Sequence, residues 1–465
     1  MLRRGIRFLG GDTTVAALPT RIEKEAGRQL TPLQIFDITA QREAKLSRLL
    51  MLFIGTGLVF MLLPGTFLGV WNLITISNQH APASVSAAWI QAHGHAQVFG
   101  WIGSFILGIG FYSIPKLRRM QSFGLWVVWT AWGLWTSGVA LRWMTGIYDW
   151  HWRALLPASA VLELAAFLLF FKTVSSHRSE SGGSKFEEWV IVVMAGTFGL
   201  LATLLLNLAL AIYVAIHSTQ PALSARLDQS FLVLQTWGVL VVFVWGFSAK
   251  WLPTFLGLRP TRTKLLLAAV ALNTAGVVAA FLSATVIATI FLLAGILVAI
   301  VALRIAESSE RPAKIKGVHS TFPAFVRIAY AWACIAGALG IWAALARNPQ
   351  GIWGASRHAL TVGFLAMMVF AIGQRVLPAF SGMRLLFSTK LMFGSLLLLT
   401  LGCLLRVSSE ALAYQGFWPT AWKLLPISAL TEMTAVTVFA VNLFATFASR
   451  PPSAAITAKG QQTAE

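Results

Sequence analysis

Acidic residues are scarce in this chain. Its 465 residues hold 16 Asp and Glu against 36 Lys and Arg, and charged residues of all kinds reach only 11%. A soluble domain carries about a quarter charged residues, so water is not the main solvent here. Cysteine is scarcer: Cys334 and Cys403, both inside apolar runs, give no disulfide framework and cannot make a cysteine-rich zinc site. Also absent are a glycine-rich phosphate loop with its lysine and an evident nucleophile with a base and an orienting acid, which removes soluble-type catalysis. What is present is apolar: 57% hydrophobic residues and a mean hydropathy of +0.73. Composition alone excludes a secreted mini-protein, a disordered chain and an ordinary soluble enzyme.

A hydrocarbon core about 30 Å thick needs roughly 20 apolar residues per helix. Twelve such stretches fall near 49–71, 90–113, 123–144, 154–173, 188–213, 229–251, 264–283, 286–304, 324–345, 356–378, 386–405 and 424–447. The seventh and eighth separate around Ser283. Barrel strands alternate over about ten residues and these runs do not, so the expected class is an all-α polytopic bundle. Its parts are a basic segment 1–48, a membrane domain 49–448 and a tail 449–465.

The charge of +20 follows topology. Segment 1–48 carries Arg3, Arg4, Arg7, Arg21, Lys24, Arg28, Arg42, Lys45 and Arg48 without an apolar signal core, and so stays in the cytoplasm. Even-numbered connections then lie on the same side. They hold Lys116, Arg118 and Arg119; Lys172, Arg178 and Lys185; Arg259, Arg262 and Lys264; and Arg311, Lys314 and Lys316. The first odd connection has no Lys or Arg. Both termini are expected in the cytoplasm, the lipid bilayer is the expected partner, and nucleic acid is not.

Self-comparison selects a few polar residues from this background. Sliding the chain by 263 sets His358 on His95, Gly363 on Gly100 and Pro378 on Pro115; sliding by 138 sets Gly238 on Gly100 and Pro253 on Pro115, with Val233 where the other two have histidine. Gly138 and Arg142 match Gly402 and Arg406 at 264, and the middle unit keeps Gly276 but has Ala280 for the arginine. The stretch around Glu163 matches that around Glu432 at 269. Three four-span units are therefore expected, near 49–175, 186–305 and 322–448. The glycines and prolines suit packing and kinks, whereas intramembrane His, Arg and Glu cost several kcal/mol and are kept for a purpose. His93, His95 and His358, Arg142 and Arg406, and Glu163 and Glu432 all fall toward the non-cytoplasmic side. Trp143, Trp150, Trp152, Trp353, Trp418 and Trp422 read as an interface belt.

Neutral imidazoles facing across a bundle suit haem iron, which also wants small residues for the macrocycle and cations for its propionates. Gly94, Gly100, Gly103 and Gly363 offer room, and Arg142, Arg406 and Arg357 offer cations. Copper or zinc would need converging histidines and few competing arginines. His93 and His95 are two apart, so on an ideal helix they point about 200° from one another and do not both ligate one haem. The plainer alternatives are a helix–helix hydrogen bond for the histidines, snorkelling for the arginines, and structural pairing or proton relay for the glutamates.

The run His93-Gly94-His95-Ala96-Gln97-Val98-Phe99-Gly100 with Pro115, together with Arg357-His358-Ala359-Leu360-Thr361-Val362-Gly363 and Arg375, resembles the NnrS family of bacterial inner-membrane haem and copper proteins. The likeness covers most of 45–450, and Ala96 stands where the family's double-histidine motif usually continues with glutamate. It implies a multi-pass inner-membrane protein of the nitric oxide response or of nitrosative stress tolerance. The cofactors it implies are haem, of b type, and copper, with nitric oxide as the small partner. The same spans are similar to subunit I of haem-copper oxidases, which has twelve helices in three quasi-repeats and holds a bis-histidine haem between helices two and ten. By that likeness His93 fits better than His95, whereas the internal repeat favours His95; either is a candidate partner of His358. The oxidase copper centre has no counterpart, since span six offers Gln235 and Trp237 and span seven has no histidine. The competing classes are a haem-free transporter or metal-handling protein, and a quinol- or cytochrome-linked oxidoreductase whose electron donor the sequence does not name.

Overall fold

The structure is a computed structural model, and it describes residues 32–117, 123–176 and 187–449. The basic residues of 1–31, Arg118, Arg119, His177, Arg178, Lys185 and the tail beyond Ser449 lie outside the described residues. Twelve helical rods run in chain order: α1 (32–79), α2 (87–117), α3 (Leu125–Tyr148), α4 (Trp152–Ser176), α5 (Glu188–His217), α6 (Ala225–Leu256), α7 (Thr263–Phe281), α8 (Thr285–Leu303), α9 (Phe322–Leu345), α10 (350–380), α11 (Thr389–Tyr414) and α12 (Leu424–Ala448). No strand occurs among the described residues. Eleven rods are long and apolar enough to cross a membrane. The twelfth, α3, has 24 residues with five tryptophans and Arg142. The chain is a multi-pass helical membrane protein.

The rods start and stop for local reasons. Ser86 opens α2, its hydroxyl accepting the Ala88 N–H at 3.2 Å, and Ser388 opens α11 by accepting the Leu391 N–H at 3.2 Å. Ser283, at φ +61°, turns the chain between α7 and α8 where the sequence places the split. Rod α1 begins at Pro32, so residue 48 falls inside a helix. Short connections make successive rods antiparallel neighbours. The loops after α1, α3, α5, α7, α9 and α11 therefore share one end of the bundle, called here the odd-loop end.

Four rods contain a π-helical segment: Met61–Phe67 in α1, Ala96–Gly103 in α2, Leu234–Val241 in α6 and Ala359–Ala366 in α10. The last three are related by shifts of 138 and 263 residues, the same shifts that align the three units in sequence. A π turn accommodates one residue more than an α turn and frequently occurs at functional sites. Each segment starts directly after the repeat position held by His95, Val233 or His358. A side chain of the third rod of a unit donates to a carbonyl within the segment: Trp135 Nε1 to Phe99 O at 3.1 Å in the first unit, and Asn273 Nδ2 to Trp237 O at 2.8 Å in the second. Deeper in the bundle, Met367, Met368 and Phe370 are packed away from solvent, and Phe370 stacks on Phe439 at 3.9 Å.

Candidate functional site

At the odd-loop end the rods leave a cavity of about 1130 Å³, somewhat above the roughly 300–1,000 Å³ of drug-sized ligand sites. His93, His95 and His358, Arg142, Arg357 and Arg406, and Glu432 all line it. Glu163 stands one layer back, behind His95. Residues more than 260 positions apart are thus gathered at one place by the repeat.

The two histidines of α2 do different work. His93 lies against α1, where its Nδ1 donates to the Gly65 carbonyl at 2.8 Å; that carbonyl belongs to the π segment of α1. With the proton on Nδ1, the lone pair is on Nε2, and among the described residues no hydrogen bond reaches that atom. A Cβ on Gly69 would stand 2.6 Å from His93 Cε1, so the ring needs glycine there. His95 is buried, stacks on Phe99 at 4.4 Å, and places Nε2 2.7 Å from Glu163 Oε1. Asn207 Nδ2 donates to the other oxygen of Glu163 at 3.1 Å. Glu163 is wholly buried, and this pairing, rather than one with Arg142, is what accommodates it.

In the third unit the equivalent residues are arranged otherwise. His358 Nδ1 lies 2.9 Å from the Gly354 carbonyl, its hydrogen-bond acceptor, and 3.1 Å from Glu410 Oε2, a charge contact. Its Nε2 is 3.4 Å from Arg406 Nη2. Arg406 Nε is 3.3 Å from Glu410 Oε2, one helical turn along α11. Glu432 Oε1, the counterpart of the paired oxygen of Glu163, is buried without a hydrogen-bond partner among the described residues. So are Nε and Nη1 of both Arg142 and Arg406. Arg357 Nε is bound to the Trp353 carbonyl at 3.3 Å.

The glycines need reassignment. Of Gly94, Gly100, Gly103 and Gly363, only Gly94 faces open space. A Cβ on Gly100 would meet Phe60 and Val139, one on Gly103 would meet Trp135, and one on Gly363 would meet Trp332. These three admit neighbouring side chains and give no room to a macrocycle. Gly138 and Gly402 form a matched pair: a Cβ would stand 2.8 Å from Glu163 Cγ in one and 2.7 Å from Glu432 Cγ in the other. In the middle unit Gly276 makes the same close approach to Leu292 Cγ, at 2.8 Å. Leu292 therefore occupies the place of the glutamate, as Val233 occupies that of the histidine.

Several tryptophans also depart from a simple belt. Trp150 and Trp418 are exposed, whereas Trp143 Nε1 donates to Pro64 O at 3.2 Å, Trp422 stacks between His80 and Tyr414, and Trp353 lines the cavity. Two residues of the site escape the repeat analysis altogether, Glu410 and Asn207. The i,i+4 spacing of Arg406 and Glu410 was the available signal for the first. Among the described residues no group of three or more His, Cys, Asp and Glu could hold a metal ion.

A family model described as a domain of unknown function, DUF8744, matches residues 190–446, more than half of the chain. The chain belongs to that family. The matched region takes in α5 through most of α12 and begins after the rods that carry His93, His95, Arg142 and Glu163. No curated protein matches. Among solved structures, a cryo-EM structure of a heme-copper terminal oxidase dimer matches with a TM-score of 0.50 at 12% identity, covering 86% of this chain and 84% of that chain. The likeness is one of fold: a twelve-rod helical bundle of the subunit I kind.

Proposed function

We propose that this protein binds haem, of b type, between α2 and α10 at the odd-loop end, with His93 and His358 as the ligating pair. On this reading it is an NnrS-like protein of a bacterial inner membrane that handles nitric oxide by binding, sensing or slow redox conversion. The observation that carries the haem assignment is the common posture of the two rings. Each lines the same cavity of about 1130 Å³, and each has Nδ1 bound to a backbone carbonyl, which fixes Nε2 as the lone-pair nitrogen. His95 offers no equal, because its Nε2 is held at 2.7 Å by the buried Glu163 carboxylate, whereas the Nε2 of His358 meets only the longer 3.4 Å contact from Arg406 Nη2.

The surrounding residues fit the group. Arg142, through Nε and Nη1, and Arg406, through Nη1, bring buried N–H donors without a hydrogen-bond partner among the described residues, suited to propionates, and Arg357 lines the same cavity. Gly94 leaves open space, and the Gly69 cradle seats His93. When bound, haem would supply an iron centre for diatomic ligands or single electrons. The chain's own residues hold the two imidazoles in the ligating tautomer and offer positive charge to an anion. Orientation follows the basic even loops, with Arg259, Arg262, Arg311, Lys314 and Lys316, which place the odd-loop end away from the cytoplasm.

The test is the absorption spectrum of the purified protein. A Soret band lost in His93→Ala and in His358→Ala but kept in His95→Ala is the expected result; a protein without the band sinks the haem assignment. Nitric oxide added to the loaded protein then tests the second part. A spectrum that does not move removes nitric oxide and leaves an electron carrier.

A further inference from the structure

The two proposed ligands differ in one respect that the repeat does not foresee. His93 Nδ1 meets only a neutral carbonyl, that of Gly65. His358 Nδ1 meets the Gly354 carbonyl and also, at 3.1 Å, a carboxylate oxygen of Glu410. Glu410 is buried, and its other oxygen, Oε1, sits where a Cβ on Gly354 would have to be. Gly354 is one turn before His358, so the carboxylate enters through the gap that a missing side chain leaves directly beneath the imidazole. Glu410 has no counterpart in the first unit, where the shift of 264 falls on Gly146, nor in the second, where it falls on Ala284. It is an addition to one histidine of the pair.

The geometry points to Glu410 as a positioning residue that sets the donor strength of His358, making unequal the two histidines that would hold the proposed haem. This rests on the haem assignment only for its consequence at iron. A carboxylate beside Nδ1–H draws that proton and enriches Nε2, as carboxylate partners do for ligating histidines generally; their loss typically costs 10- to 100-fold in affinity. The nearby Arg406, whose Nε is 3.3 Å from the same oxygen, holds the carboxylate in place. Arg406 itself meets His358 at the opposite nitrogen, Nε2, so the two neighbours act on different atoms of the ring.

The experiment is ¹⁵N NMR of the full-length protein labelled at histidine, with His93 and His358 assigned by loss of their signals in His93→Gln and His358→Gln. In the haem-free protein, Glu410→Gln is expected to move the Nδ1 resonance of His358 toward that of His93, whose partner is a carbonyl alone. Gly354→Ala, which displaces the carboxylate without removing it, is expected to move it the same way, and Arg406→Gln to act mainly on Nε2. An unmoved Nδ1 resonance in Glu410→Gln overturns the inference, and so does an Nδ1 shift that Arg406→Gln reproduces in full. In the loaded protein, Glu410→Gln should lower haem affinity about tenfold and raise the midpoint potential; in the haem-free protein, His93→Gln should leave the His358 Nδ1 signal in place. A protein with no Soret band refutes the haem assignment while the Nδ1 resonance still decides the role of Glu410.

Discussion

Rewriting the first unit in the residues of the second isolates the energetics of the buried His95–Glu163–Asn207 cluster. In the second unit Val233 stands for His95 and Leu292 for Glu163. Glu163→Leu alone strips a partner from His95 Nε2 and from Asn207 Nδ2, now 2.7 and 3.1 Å from its oxygens. A buried group left without its hydrogen bond costs about 1–3 kcal/mol. His95→Val alone leaves a carboxyl oxygen unpaired on a side chain with no solvent exposure, and removing one member of a buried pair costs about 3–5 kcal/mol. Replacing both by packed apolar residues is about neutral by comparison, although Asn207 still wants Asn207→Leu to complete the exchange. The double variant should therefore be less destabilised than the sum of the singles by about 3 kcal/mol or more, at or beyond the upper end of the range for residues in contact. Unfolding midpoints of the four proteins in one detergent, read as a double-mutant cycle, measure the term. Additivity within about 0.5 kcal/mol would refute the view that these side chains form one network.

Three further outcomes follow from the same contacts. Gly69→Ala drives a Cβ into the ring of His93 and should lower the Soret absorbance per protein, whereas Gly133→Ala, away from the cavity and with nothing within 4 Å of the new Cβ, should leave it unchanged. Arg142→Ala and Arg406→Ala should each reduce haem retention through dialysis, and unchanged occupancy and potential would leave both as interface anchors. Gly276→Ala meets Leu292 at 2.8 Å, and overpacking of this kind costs about 1–3 kcal/mol. Its thermal midpoint should fall, and Leu292→Ala in the same chain should restore part of the loss.

The membrane class, the split at Ser283 and the three-unit plan were legible because they are written in hydropathy and in glycine and proline spacing. The shifts of 138 and 263 that align His95, Val233 and His358 also locate three π segments. Sequence identity hid the divergence of roles, however. His95 and His358 occupy one repeat position, yet one gives Nε2 to a glutamate and the other keeps Nδ1 on a carbonyl. Glu410 was missed because a comparison that rewards shared polar residues discards one whose counterpart is Gly146. The glycines of α2 and α10 were misread because a small residue admits a ligand or a neighbouring aromatic ring equally well, and only packing shows that Gly103 takes Trp135 and Gly363 takes Trp332.

The matched clefts at Gly138, Gly276 and Gly402 bear on how the chain enters its bilayer. Each lies in a helical hairpin, α3 with α4, α7 with α8 and α11 with α12, whose two rods meet backbone to side chain at that glycine. Delivered alone, α4 or α12 would present its glutamate to hydrocarbon, and a charged residue at the centre of a single inserting helix costs about 3 kcal/mol. Delivered as a hairpin, the same glutamate crosses with its stem already folded against the partner rod. The middle hairpin, with Leu292 in the cleft, has no such requirement. Biogenesis therefore places its demand for paired insertion on the first and third hairpins, the two that bring acid into the membrane.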